Sequence, residues 1–458
     1  MNVSTGPHVA DVAAPTMTCG PTPSMQTPAT RYAWYVVAML MLVSVLGYID
    51  RLVLSLLVQP IKAELHLSDT QIGMITGLAF ALLYVIGGIP IGRLIDRRNR
   101  IVVLAICVLI WSAATAAGGL ATGFALLFLA RIGVGAGEAS VSPAAVSLIG
   151  DYFPSDKVHQ PLSLFTVGLY AGGGLALILG AEAVAYLTSL GPISLPHVGP
   201  ISAWRATFLS LGVPGIVVAM VLLLTVRDPP RRHAPNSPAP VQSAGAMAYA
   251  REHGRLLILL VAAVVLWGMN GYGFINWYPA MLMRTYGMTT QTVAHTYGVA
   301  FLVCGTLGAL SLAPIARVIA SHGRNDAVFT VSFVALALLA IGSAVGPLMP
   351  GRVSVIVCSA LSVFCQSLIV VSVYAIITLV APARLRGVFT GFYMCIMNIT
   401  GGAFGAVLVG ALADHAFGAA RLNWALSSVA VVFGPPATFV MWLAAREYRR
   451  TLGAARVE

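Results

Sequence analysis

The chain has 458 residues, of which 58% are apolar and only 9% are charged. A soluble domain carries roughly 25% charged residues, so this chain lacks the polar shell of a soluble enzyme, a nucleic-acid binder or a disordered protein. What remains is a polytopic membrane protein, and the formal charge of +11 has to be read in that setting.

Residues 1–30 hold Pro, Thr, Ser and Ala with one acidic residue and no basic one. That predicts a disordered tail, since a signal peptide needs a basic start and an apolar centre. A bilayer core of about 30 Å needs roughly 20 apolar residues per helix. Runs of this kind lie at 33–58, 71–92, 101–121, 124–149, 162–187 and 204–226. Residues 227–254 break the pattern with a Pro-rich, basic stretch that reads as a solvated linker. Six further runs follow at 256–283, 291–316, 327–346, 353–380, 387–411 and 424–445, before a short tail at 447–458. The prediction is an all-α membrane protein of 12 transmembrane helices, arranged as six-helix bundles over 31–226 and 255–446. Five of the six cysteines fall in apolar runs and Cys19 lies in the tail, with no metal-ligand spacing.

An even helix count puts both termini on one side. With that side cytoplasmic, 19 Lys and Arg residues fall in cytoplasmic segments, among them Arg93, Arg97, Arg98, Arg100, Arg232, Arg384 and Arg456. Five fall on the other side and two, Arg51 and Arg131, inside spans. The asymmetry follows the positive-inside rule, so the net charge needs no nucleic-acid partner. The expectation is a monomer in the cell membrane, a bacterial inner membrane, with both termini cytoplasmic. A weak duplication supports two equivalent halves. GRLIDRRNR (92–100) after the second span is matched by APIARVIASHGR (313–324) after the eighth, which has lost the acidic residue.

A charge at the bilayer centre costs at least about 2.5–3.5 kcal/mol, so such residues mark function or pairing. Asp50, Arg51, Arg131, Glu138 and Glu182 qualify, all in the first half. Asp50 lies 16 residues beyond Trp34, about 24 Å from the cytoplasmic face at about 1.5 Å per residue. Arg131 lies about 10 Å below the outer face, which allows pairing across the first and fourth spans. Glu138, seven residues on, shares a face with Arg131 and sits about 10 Å deeper. Arg51 adjoins Asp50 but faces elsewhere, so its partner lies elsewhere. Two readings stand: a static ion-pair network, or a proton-coupled site that recognises an anion. A carboxylate shielded from water takes up a proton near neutral pH, and Arg grips carboxylate or phosphate in a fork. Glu182, near the outer end of the fifth span, reads as an interfacial residue.

Glycines crowd the fourth, fifth and eleventh spans, as small residues do where membrane helices pack closely. In the seventh span WGMNGYGFINWYP (267–279) predicts a broken or flexible helix lining a cavity. Candidate lining residues are Tyr48, Trp267, Asn270, Tyr272, Asn276, Gln366, Tyr374 and Asn398, with ordinary packing the alternative for each. No H-E-x-x-H, G-x-S-x-G or His/Asp cluster points to an enzyme.

GRLIDRRNR resembles the loop between helices 2 and 3 of the major facilitator superfamily. Gly92, Asp96, Arg97 and Arg100 fit its pattern and Asn99 replaces the usual Gly. The resemblance implies the major facilitator fold, alternating access and a loop that controls the conformational switch. The stretches 48–84 and 131–154, WRATF (204–208) and VRDPPR (226–231) are similar to the Spinster-like group. Members of that group are linked to lysophospholipid and sphingosine-1-phosphate transport. By position, the resemblance implies protonation sites at Asp50 and Glu138, with Arg51 and Arg131 as substrate-holding cations, protons as coupling ion and no other cofactor. Organic-anion symporters share this charge set, so it leaves the substrate open. GEASVSP (137–143) favours the Spinster-like group, and the fifth span lacks the Gly-Pro pairing of drug/proton antiporters. The expectation is a proton-coupled carrier of a lysophospholipid-like solute, with a carrier of small organic anions, a drug/proton antiporter and a non-transporting receptor or scaffold as alternatives.

Overall fold

The structure is a computed structural model describing residues 31–154, 157–191, 193–195, 199–231, 247–324, 326–382 and 385–454. The expected N-terminal tail, most of the linker, and Arg232, Arg384 and Arg456 lie outside the described residues.

Among the described residues, 12 helices are long and apolar enough to cross a membrane. The first half holds α1 (Arg31–Leu65), α2 (Asp69–Arg97), α3 (Arg100–Gly118), α4 (Phe124–Tyr152), α5 (His159–Ser189) and α6 (Ala203–Thr225). The second holds α7 (Gly254–Tyr286), α8 (Thr290–Ser321), α9 (Ala327–Leu348), α10 (Arg352–Val380), α11 (Arg386–Phe417) and α12 (Ala419–Thr451). This is the expected all-α architecture. Each expected run coincides with one helix. α1 runs on to Leu65, because a helix continues past the hydrocarbon that hydropathy detects.

Helix ends explain the tight connections. Ser68 caps the start of α2, accepting from the Gln71 N–H at 3.1 Å while its own N–H donates to Gln71 Oε1 at 2.9 Å. Asn99 caps α3 by accepting from the Ile101 and Val102 N–H groups, both at 3.0 Å, so the residue that departs from the loop pattern has a structural task. Gly287 ends α7 at φ 59°, a left-handed conformation that suits glycine. A short antiparallel hairpin, β1 (Ile193–Leu195) with β2 (Gly199–Ile201), joins α5 to α6. Three residues per strand are too few for an alternation pattern to reveal.

One expectation is corrected. The seventh span is an unbroken helix of 33 residues. Its glycines serve close packing: a Cβ on Gly268 would press on Gly401, one on Gly273 on Gly405, and one on Gly271 on the Gln366 side chain.

The start of α1 and the end of α6 meet where Tyr32 donates to the Thr225 carbonyl at 2.8 Å, and α7 meets α12 through Arg255 and Glu447. These helix ends define a terminal face. At the opposite face the halves touch. Gly73 and Gly77 of α2 lie against the Ala406 and Gly402 carbonyls of α11, and Gly174 of α5 and Gly298 of α8 face each other's carbonyl oxygens. Wider, π-helical turns occur at Met74–Leu78, Phe301–Gly305 and Asn398–Gly405, all in helices that cross between the halves. Towards the terminal face α2 and α11 separate. A Cβ on Gly88, Gly92, Gly387 or Gly391 would meet no atom within 4 Å, and Ile89 is 64% exposed. The space between the halves is therefore closed at the opposite face and open at the terminal one.

Candidate functional site

The buried charges of the first half gather at the middle of this space. Arg51 of α1 reaches Glu138 of α4, with Nη2 at 2.5 Å and Nε at 2.6 Å from Oε2. The Arg51 side chain is 29% exposed and that of Glu138 only 2%. The guanidinium lies over the rings of Phe80, Tyr84 and Tyr48, with centroid distances of 4.1, 5.4 and 5.7 Å. With its faces on rings and two nitrogens on Glu138, the guanidinium is engaged chiefly by that one carboxylate oxygen.

Local sequence builds this contact. Gly47 makes room for the carboxylate, since a Cβ there would sit 3.2 Å from Glu138 Oε2. Gly135 and Gly137 let α4 press against the Phe80 backbone of α2 and against Cys107 and Trp111 of α3. Just after Glu138 the helix pauses at Ala139 and Ser140. Pro143 has no N–H for the carbonyl four residues back, which accounts for the break.

Arg131 is 2% exposed, and its Nη1 donates to the backbone carbonyl of Asp50 at 3.1 Å. Among the described residues no cation reaches ion-pair distance of the Asp50 carboxylate, which is enclosed with Arg131, Glu138 and Arg51 as its charged neighbours. Arg51, more than Arg131, faces the open space. Arg131 Nε and Glu138 Oε1 are sealed without a partner among the described residues.

The other candidates divide. Tyr48, Tyr272, Asn276, Gln366 and Tyr374 are half-buried at the space, whereas Trp267, Asn270 and Asn398 are buried behind it. Trp267 donates its indole N–H to Gln366 Oε1 at 2.9 Å, and Asn398 Nδ2 donates to the Met394 carbonyl at 2.9 Å. Three tyrosines at the space are not legible in sequence: the half-buried Tyr84 and Tyr170, and Tyr393, which is 7% exposed. Each lies in an apolar run where a tyrosine looks the same whether it packs or lines.

At the end of α2 Gly92 is half-buried, and Asp96 and Arg97 are exposed. Arg100 is buried and ties three helices: its Nε pairs with Asp228 beyond α6 at 2.7 Å, and its Nη1 with Asp151 of α4. At the matching place before α9 the polarity is inverted. Buried Asp326, two residues past the repeat seen in sequence, faces Arg324 at 3.3 Å and Arg449 of α12 at 3.6 Å.

A second charge cluster, also missed, closes the opposite face. Asp69 of α2 is fully buried between Lys62 of α1, at 2.7 Å, and Arg284 of α7, at 2.7 and 2.8 Å. Asp414 of α11 accepts from the N–H groups of Asp69 at 3.0 Å and Thr70 at 2.6 Å. Residues at span ends read as interfacial charges in sequence, so their convergence was not legible. Nearby, His295 Nε2 of α8 stands 3.3 Å from Glu182 of α5.

The Major Facilitator Superfamily family model matches residues 40–406. An MFS-type efflux pump of Mycolicibacterium smegmatis is 31% identical over 92% of this chain and 95% of its own length. A hexuronate transporter of Bacillus subtilis is 24% identical over 83% of this chain and 88% of its own. Among solved structures, a bacterial homolog of the human lysosomal transporter Spinster, inward-facing and unoccupied, superposes with a TM-score of 0.75. It is 26% identical and covers 92% of this chain and 98% of that one.

Proposed function

The chain belongs to the major facilitator superfamily and is related to its Spinster-like group, and on that premise we propose that it is a proton-coupled carrier of small organic anions. It is a multi-pass secondary transporter of an organic solute, not an enzyme. The observation that carries the finer reading is the half-exposed Arg51 held by a single buried carboxylate, Glu138. Glu138 and an incoming anion compete for one guanidinium. A proton on Glu138 removes its hold, so proton and anion binding favour each other. By linkage the effect is reciprocal, which makes the pair a symport device. Asp50, enclosed beside Arg131, is the second candidate proton carrier.

The excess of arginines on the terminal face supports its assignment as cytoplasmic, in an inner membrane. The described state is then open to the cytoplasm and latched outside by Asp69, Arg284 and Asp414. Both sides of the site come from one chain, which suits a monomer. The hexuronate transporter among the relatives supports an acidic solute.

A second reading is efflux of an amphipathic, lysophospholipid-like solute. It is favoured by the match along nearly the full length to an efflux pump and by the likeness to the Spinster homolog. Counterflow in proteoliposomes separates the two: competition by hydrophilic carboxylates supports the first, and competition by lysophospholipids alone supports the second.

A further inference from the structure

Six tyrosines form a cluster that starts at Arg51, whose guanidinium lies 5.7 and 5.4 Å from the rings of Tyr48 and Tyr84. Tyr48, Tyr84 and Tyr170 come from the first half, and Tyr272, Tyr374 and Tyr393 from the second. Tyr84 stacks on Phe80 at 5.3 Å, Tyr170 lies against Phe301 at 6.3 Å, and Tyr374 meets Tyr393 edge-on at 5.5 Å. The surrounding contacts cross the halves: a Cβ on Gly305 of α8 would sit 3.3 Å from Tyr170 of α5, and one on Gly402 of α11 would sit 3.8 Å from Tyr272 and 3.7 Å from Ala81 of α2.

Their hydroxyls differ from those of two other tyrosines close by. Tyr278 and Tyr286, in the same helix as Tyr272, donate to the Val355 and Met349 carbonyls at 2.8 and 2.5 Å. Among the described residues Tyr48, Tyr84, Tyr170, Tyr272 and Tyr393 have no side-chain hydrogen bond at all, and Tyr374 reaches only Met394 Sδ at 3.5 Å, a weak acceptor. Nor are these oxygens sealed in, as that of Tyr297 is. Five phenols in one place, each with its polar end unpaired and accessible, form a wall of donors and acceptors.

Closure around a solute removes water from these hydroxyls. An alkyl chain would leave them unpaired, and a buried polar group without a partner is unfavourable. A site built to hydrogen-bond hydroxyls therefore rejects the analogue that lacks them. We infer that the transported anion carries a hydroxyl-rich body, its acid group at Arg51 and its hydroxyls paired with Tyr84 and Tyr170 on one half and Tyr393 on the other. The solute then joins the halves through phenols from both, which couples occupancy to closure. This inference rests on the anion reading above and adds the chemistry of the body.

Gluconate and hexanoate test it, because both are six-carbon monocarboxylates and differ by five hydroxyls. Binding to the purified full chain is measured by calorimetry for wild type, Tyr84→Phe, Tyr170→Phe, Tyr393→Phe and Arg51→Gln. The expected result is a clear preference for gluconate, weakened by about three- to tenfold in each Phe variant with hexanoate unaffected. Equal binding of the two acids, or a lysophospholipid bound more tightly than gluconate with all three Phe variants neutral, overturns the hydroxyl reading. If carboxylate binding in that case still depends on Arg51, the anion reading stands without it. No carboxylate binding in wild type, with Arg51→Gln the same, overturns both.

Discussion

Arg51 directs two nitrogens to a single oxygen of Glu138, 87 residues away in sequence, and the second oxygen of that carboxylate has no partner among the described residues. A buried pair satisfied on one side only is a poor static brace, because desolvation offsets much of the attraction. The contact is better suited to being exchanged than to holding helices together. The half-exposed partner is the arginine, so the exchange is open to a solute entering from the terminal face.

Arg100 has the opposite character. It is buried, and every face of its guanidinium is used by Asp151, Asp228, Ser147 and the Pro229 carbonyl. Arg100→Leu leaves two acidic partners facing each other and is expected to lower stability by about 3–5 kcal/mol. Arg97→Ala, at an exposed neighbour, should stay within about 0.5 kcal/mol. Thermal melts of the two purified variants check the contrast.

The Asp69 cluster must open for the site to face the opposite side. Asp69→Asn removes the charge that two cations share and weakens the tie between α2 and α7. In a cysteine-free background, Tyr272→Cys should then be labelled several-fold faster by a membrane-impermeant thiol reagent added at that face. Equal labelling with and without Asp69→Asn would show that the latch does not set the resting state.

The glycine crossings make a steric prediction. A Cβ on Gly77 would collide with the Gly402 and Ala403 carbonyls, and one on Gly174 with the Gly298 carbonyl and Leu302. Gly77→Val and Gly174→Val should part the halves at the opposite face and speed labelling of Tyr272→Cys from that side, whereas Gly88→Ala and Gly92→Ala, with open space, should leave it unchanged. The same labelling assay decides it.

Much of this architecture is legible in sequence because the bilayer imposes length and apolarity, so the 12 spans follow from hydropathy. Asp50, Arg51, Arg131 and Glu138 stand out for the same reason: each is anomalous in its setting. The pairing is not legible. Asp50 with Arg131 and Arg51 with Glu138 are equally consistent with helix periodicity, and rotamers and helix rotation choose between them. Tyr84, Tyr170 and Tyr393 carry no such anomaly, and Asp69 with Arg284 becomes informative only once α2 and α7 are brought together.

On the proposed mechanism, Glu138 and the solute exchange places on Arg51 under control of a proton. Protonated Glu138 releases Arg51, so anion affinity should rise as pH falls. Above the pH at which Glu138 ionises, affinity should weaken by about tenfold per pH unit, the slope of one linked proton. Calorimetric titration of gluconate into wild type and Glu138→Gln, from about pH 5 to about pH 8, tests this directly. Glu138→Gln is expected to fold, to bind at the wild type's acid-limit affinity and to show no slope. The same pH slope in wild type and Glu138→Gln would contradict it.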